Sequence, residues 1–218
     1  MPLQNRVTPF GEIETSPARG TLMGNRGILH DEAGRLSRRR WQHRRWIACR
    51  LQYKSRWRPI MAPATWTELF FLDEAVALAA AHRPCAQCRY EDHRRFLAAW
   101  RRARGLPEDA RFSVDAVDRA LHDARIEPRR RMQVTFPAQL AELPEGSFVR
   151  IGGTAWLVHG SRVLRWSHFG YDRAEPIRDL DVQVLTPAPI VEVLRTGYRP
   201  ALHPTADHPH GNQENARC

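Results

Sequence analysis

The amino-acid sequence predicts an α+β protein: a small α/β module first, then helices, then a compact antiparallel β-rich domain of small-barrel type. Three observations predict it. Phe96, Leu97 and Trp100 recur at helical spacing in the middle of the chain. The second half breaks into short β-runs at Gly152-Gly153 and Gly160-Ser161. Between a short Ala/Leu helix and the next helical stretch lies a Cys-x-x-Cys pair, Cys85 and Cys88.

The elements follow in order. Met1 to Arg19 shows no periodicity and reads as an arm or loop, and Gly24-Asn25-Arg26-Gly27 is a turn signal. Trp46 to Leu51 alternates enough to be a strand, with Cys49 near its end, and Thr67 to Phe71 reads as a second. Asp73 is suited to cap a helix over Glu74 to Ala81 that must end before Pro84. Helical patterns follow over Glu91 to Arg104, stopped by Gly105-Leu106-Pro107, and over Val114 to Ile126; Arg129 to Arg131 marks a break. Ser147 to Ile151, Ala155 to Val158, Val163 to Trp166 and Val182 to Leu185 are β-runs, and Pro189 to Arg195 is a short helix before Gly197. The expected division is 1–126, 127–204 and a disordered tail over 205–218 ending in an incidental Cys218.

The 218 residues carry 34 Lys+Arg against 24 Asp+Glu, a formal charge of +10. No stretch reaches the roughly 18–20 apolar residues of a membrane span, and the N-terminus lacks the apolar core of a signal peptide. A soluble, cytoplasmic protein is expected. The charge is unevenly placed: residues 1–110 hold 20 bases and 11 acids, leaving 14 and 13 for the rest. Ala33 to Thr67 has ten bases, no acid and four interleaved tryptophans, Trp41, Trp46, Trp57 and Trp66. Such a stripe suits a polyanion, because neutralised phosphates release counterions and arginine offers both a fork for phosphate and a face for bases. Arg38, Arg39, Arg40, Arg44, Arg45, Arg56 and Arg58 are the expected nucleic-acid contacts, with Trp41 or Trp57 for stacking. The alternative is a solvated basic face.

Cys-x-x-Cys in an intracellular chain points to metal more than to disulfide. Two thiolates three residues apart can take two corners of a zinc tetrahedron from one tight turn. Pro84 presets that turn, and Arg83 and Arg89 are placed to lower the thiol pKa values. A thioredoxin-like redox pair is the competing reading, but that pair opens a helix after a strand, whereas here a helix precedes it.

From Trp46 to Tyr90 the chain resembles the Ada-type metal-binding domain. The resemblance rests on Phe70-Phe71, the alanine-rich run Glu74 to Ala81, and Arg83-Pro84-Cys85-Ala86-Gln87-Cys88-Arg89. It rests also on Cys49-Arg50 after Trp46-Ile47-Ala48. It implies a zinc-bearing DNA-binding module acting on or sensing damaged or modified DNA, in which Cys49 matches the cysteine that accepts a methyl group from DNA phosphotriesters. The family uses four cysteines; Tyr53 stands where the second is expected. Cys49, Cys85 and Cys88 then need a fourth ligand, for which His30, His43 and His82 are candidates. His30, arriving on a separate loop, is preferred; His82 matches an aromatic position and is expected to pack. A three-cysteine, one-histidine site is less negative than an all-cysteine one, so the zinc is expected to be structural.

A rival reading comes from another class. His30-Asp31-Glu32 with Pro84-Cys85-Ala86-Gln87-Cys88 resembles the signature of zinc nucleobase and nucleoside deaminases. There His30, Cys85 and Cys88 would hold zinc and Glu32 would shuttle the proton of the attacking water, leaving Cys49 without a role.

Overall fold

Short strands with apolar residues aimed at one side build the first sheet. In the computed structural model, which describes residues 1–55, 59–127 and 132–209, these are β1 (Gln4–Val7), β2 (Ile13–Thr15), β3 (Leu22–Asn25), β4 (Ile47–Arg50), β5 (Leu69–Phe71) and β6 (Arg83–Pro84). Their order across the sheet is β2-β1-β5-β3-β4-β6. β1 runs parallel to β5 and β4 parallel to β6; the other pairs are antiparallel. The expected N-terminal arm is therefore part of the sheet. Arg6 lies opposite Phe70, and Val7 and Ile13 are buried in the core. Strands of three or four residues whose partners lie far along the chain leave no local alternation to read.

Between β5 and β6 sits α1 (Glu74–Ala79), whose six residues are all buried. The Asp73 side chain caps it by accepting from the Val76 N–H at 3.0 Å. Alanine on most of its faces lets the sheets pack close around it. α2 (Tyr90–Ala103) follows as expected but one residue earlier, and α3 (Val114–Asp123) stops three residues short of the expected Ile126. Ser113 caps α3, accepting from the Asp115 N–H.

After a small β7 (Ile126–Glu127) and β8 (Met132–Gln133) ribbon comes the second sheet. It comprises β9 (Phe136–Gln139), β10 (Phe148–Ile151), β11 (Thr154–His159), β12 (Arg162–Ser167), β13 (Gly170–Pro176) and β14 (Asp181–Val184). Its order is β13-β12-β11-β10-β14-β9, all antiparallel. The expected barrel is not closed: β13 and β9 stand at opposite edges, so the sheet is open. α4 (Ala188–Arg195) packs against α2.

The two sheets share a core. One buried cluster joins Leu69, Phe71, Val76 and Ala80 to Phe148, Leu157, Leu164 and Leu185, crossing the boundary expected near residue 126. Buried polar ties reinforce it. Asp73 accepts from the Tyr171 hydroxyl at 2.7 Å and the His203 N–H at 3.0 Å. Glu74 accepts from the Tyr198 hydroxyl at 2.7 Å and the Ala201 N–H at 2.9 Å. The expected tail starts too early. Pro204–Ala206 form a 3-10 turn, Ala206 is buried, and Thr205 Oγ1 accepts the Tyr171 N–H at 2.8 Å. Those bonds hold a stretch whose composition alone reads as unstructured; Cys218 lies outside the described residues. No helix among the described residues is long and apolar enough to cross a membrane.

Candidate metal centre

Two neighbouring parallel strands bring the cysteines together. β6 lies beside β4 with Ile47 opposite Arg83 and Ala48 opposite Pro84. The Arg83 N–H donates to Trp46 O at 3.1 Å and the Cys85 N–H to Ala48 O at 3.0 Å. This register sets Cys49 beside Cys85, and the turn before α2 swings Cys88 onto the same spot. The three sulfurs all lie within 4.8 Å of one another. Tetrahedral Zn–S bonds of about 2.3 Å imply sulfurs about 3.8 Å apart, so the spacing suits one thiophilic ion. None of the three is in a disulfide. Cys85 and Cys88 are buried, and Cys49 is half-buried at the open side.

Backbone donors already address the sulfurs. The Arg50 N–H points at Cys88 Sγ and the Gln87 N–H at Cys85 Sγ, each at 3.4 Å. Such N–H···S contacts favour thiolate. The Cys85 thiol is lowered to about 4, first by the hydrogen bond from Cys49 and then by the backbone N–H groups of Cys88 and Gln87, against the opposing effect of burial. Cys49 is correspondingly raised, first because it supplies that hydrogen bond, then by burial and the charge of Cys85. Burial raises Cys88. Three thiols within 4.8 Å of one another, one of them lowered, form a donor set that a cation would deprotonate fully.

The arginines flanking the pair do not perform the task expected of them. Arg83 is buried in a bidentate pair with Asp118 of α3, at 2.7 and 2.8 Å. Arg89 reaches Glu74 at 2.8 Å and Asp92 at 2.9 Å. Both guanidiniums are committed to carboxylates, so the shift at Cys85 comes from Cys49 and the backbone instead. These bonds fasten the cysteine turn to α3 and α1. Sequence reading missed the acids that do this; the available signal was a carboxylate, Asp118, on the buried face of α3 beside Val117 and Leu121.

His30 is not among the residues gathered at the sulfurs. Its Nδ1 lies 2.6 Å from Thr67 Oγ1 and its Nε2 3.1 Å from Ala62 O, so both ring nitrogens are engaged elsewhere. Glu32, near it in sequence, is exposed. His82 packs, its ring between Phe71 and Trp46 with centroids 4.6 and 5.2 Å away. His43 is exposed, its carbonyl accepting from Trp46 Nε1. An imidazole not singled out in the sequence also lies near: His93 on α2, with Nδ1 3.2 Å from Pro84 O, is held below its ordinary value by burial first and then by the charge of Arg83.

Arg38, Arg39, Arg40, Arg44 and Arg45 are exposed on the connection between β3 and β4. That connection has internal structure. The Gln42 N–H donates to Arg26 O at 2.7 Å, the Ser37 N–H to Leu29 O at 2.8 Å, and the Ile28 N–H to Gln42 Oε1 at 2.9 Å. Gly27 at φ +112° admits Gln42, whose Cβ would lie 2.4 Å from any Cβ there. Arg45 pairs with Asp115 at 3.2 Å and Arg40 donates to Ser37 O at 3.1 Å. Arg56, Arg58 and Trp57 lie outside the described residues. Trp46 is buried and Trp41 half-buried.

Compared with protein-family models, with curated proteins and with solved structures, the chain finds no match.

Proposed function

We propose that the chain is a zinc-containing DNA-binding protein of the Ada-like kind, with a structural ion on Cys49, Cys85 and Cys88 and a damaged or modified strand as its partner. The observation that carries this reading is the convergence of the three sulfurs from two strands and a turn, at the end of the strand that the arginine connection leads into. Bound there, the ion supplies cross-linking: it joins β4 to the turn before α2. The protein residues do the rest. Arg38, Arg39, Arg40, Arg44 and Arg45 meet the phosphates, and the hydrogen bonds of Gln42 and Ser37 hold them in one array. The deaminase reading requires His30 on the metal, and His30 is turned to Thr67 and Ala62; the DNA-binding reading is therefore the one advanced.

Two measurements test it. Elemental analysis should find one zinc per chain in the wild type and in His30→Ala, and none in Cys49→Ser. Zinc retained in Cys49→Ser and lost in His30→Ala would return the deaminase. If the five exposed arginines neutralise about five phosphates, log K for duplex DNA falls with log salt at a slope of about −4 to −5. Absent or salt-insensitive DNA affinity overturns the DNA reading.

A further inference from the structure

Away from the cysteines, where the two sheets meet, lies a cavity of about 440 Å³. Two arginines from opposite parts of the sequence line it: Arg26, after β3, and Arg125, after α3. They are 2% and 1% exposed, the largest fully buried side chains among the described residues. Arg26 donates to Gly11 O at 3.1 Å and weakly to His82 Nε2 at 3.5 Å, but its Nη2 has no partner. Arg125 leaves both Nε and Nη1 without partners. Among the described residues no carboxylate pairs with either.

Two buried guanidiniums without a counter-charge are a costly arrangement. An unpaired buried charge loses several kcal/mol of hydration, and two together repel. The ring of Trp46, 4.4 Å from the Arg26 guanidinium and 3.9 Å from that of Arg125, returns part of that at most. His82, which Arg26 Nε meets, cannot supply negative charge. Burial pulls Arg26 down to about 9, with the charge of Arg40 adding to it, and holds Arg125 well below its ordinary value, with Arg26 adding to it.

The rest of the lining states what is missing. Arg40 and Arg150 stand on the outer wall and bring the arginines to four. Glu12 and Glu14 also line the cavity, and Glu14 is engaged by His168 at 2.8 Å. Four positive groups against two negative ones leave two charges to be met, which is the charge of an ionised phosphate monoester. The volume exceeds what a bare phosphate fills and falls in the usual range of about 300–1,000 Å³ for small-ligand sites. Phe10 and Trp41 add aromatic wall on which a planar ring can stack.

We propose that this cavity is a binding site for a 5′-phosphate monoester beside a nucleobase, its phosphoryl group held by Arg26 and Arg125 and its base lying against Trp41 and Phe10. A free mononucleotide and the phosphorylated end of a strand present the same chemistry. The site is independent of the metal reading and shares Arg40 with the exposed arginine array.

Thermal unfolding and calorimetric titration of the full chain test it. Inorganic phosphate and 5′-AMP should each raise Tm above sodium chloride of equal ionic strength, 5′-AMP binding more tightly, while adenosine has no effect. Arg125→Met should weaken 5′-AMP about tenfold or more, the loss expected for charge-assisted bonds. Arg150→Ala, on the exposed wall, should weaken it without disturbing the fold, and it carries the test should Arg125→Met not fold. No shift with phosphate or 5′-AMP, or full 5′-AMP affinity in folded Arg125→Met or in Arg150→Ala, overturns the proposal. A matched pair of oligonucleotides with 5′-phosphate and 5′-hydroxyl ends separates the sources. Preference for the phosphorylated end upholds the site as an end-binding one; equal affinity alongside 5′-AMP binding upholds it as a nucleotide site.

Discussion

Among the described residues four arginines are deeply buried, and they divide by what faces them. Around the cysteine turn, Arg83 meets Asp118 and Arg89 meets Glu74 and Asp92, each at 2.7–2.9 Å. In the cavity between the sheets, Arg26 and Arg125 meet a tryptophan ring, a carbonyl, a neutral histidine and each other. The first pair is structural, since charge and counter-charge are supplied by the chain itself. For the second, no described residue supplies a paired anion. Buried cations are tolerated in both places, but only in the first do described residues supply carboxylates, with Arg89 Nη1 left without a partner.

The sharpest way to break that contrast is to make the first region like the second. Asp118→Ala leaves Arg83 buried and unpaired and should cost about 3 to 5 kcal/mol in urea unfolding. A loss below about 1 kcal/mol would mean that an unpaired buried arginine is cheap here, and the cavity would lose its significance. Next in size is the ion. Removing zinc with a chelator should lower stability by about 3 kcal/mol relative to free zinc at a hundredfold excess over Kd. Cys85→Ser should be indifferent to the chelator.

A smaller effect sharpens the second region through pH. His82 is fully buried, donates from Nδ1 to Ala80 O at 2.7 Å, and is held well below its ordinary value of 6.5 by burial first, then by Arg26 and Arg125. The unfolded chain therefore takes up this proton first as pH falls. Stability is complete above about 6.5 and declines below it, by at most about 1.4 kcal/mol per pH unit for one proton. His43, His93 and His122 are shifted in the same direction by burial. The contribution of His82 is the part of the slope between pH 7 and 5 that disappears in His82→Phe. The smallest expected effect is the most telling: Arg26→Met should leave ligand-free stability within about 1 kcal/mol of wild type or raise it. A large loss would place Arg26 with Arg83 and Arg89 as a structural residue.

Much of the cysteine centre was legible beforehand. The spacing of Cys85 and Cys88, the strand under Cys49 and the capped helix between them are local patterns, and the structure brings all three sulfurs together. His30 was the wrong corner to expect, because a histidine's neighbours depend on loop folding and Thr67 happened to lie within reach. The role given to Arg83 and Arg89 failed for a related reason. Adjacency in sequence suggested that they would act on the thiols, whereas Asp118 and Glu74, 35 and 15 residues away, claim them. β1 and β2 escaped because β1 joins the sheet through β5, more than sixty residues on, and three or four residues of alternation carry no signal.

By itself the sequence determined what local chemistry can determine: helices with their caps and stops, the β-runs between glycines, the cysteine pair, and the acid-free arginine stretch. Only the tertiary structure decided which arginines are solvated and which are buried, and which buried ones found a carboxylate. A guanidinium carries its charge wherever it sits; whether that charge is satisfied depends on groups brought near it by long-range packing, and no stretch of sequence contains them.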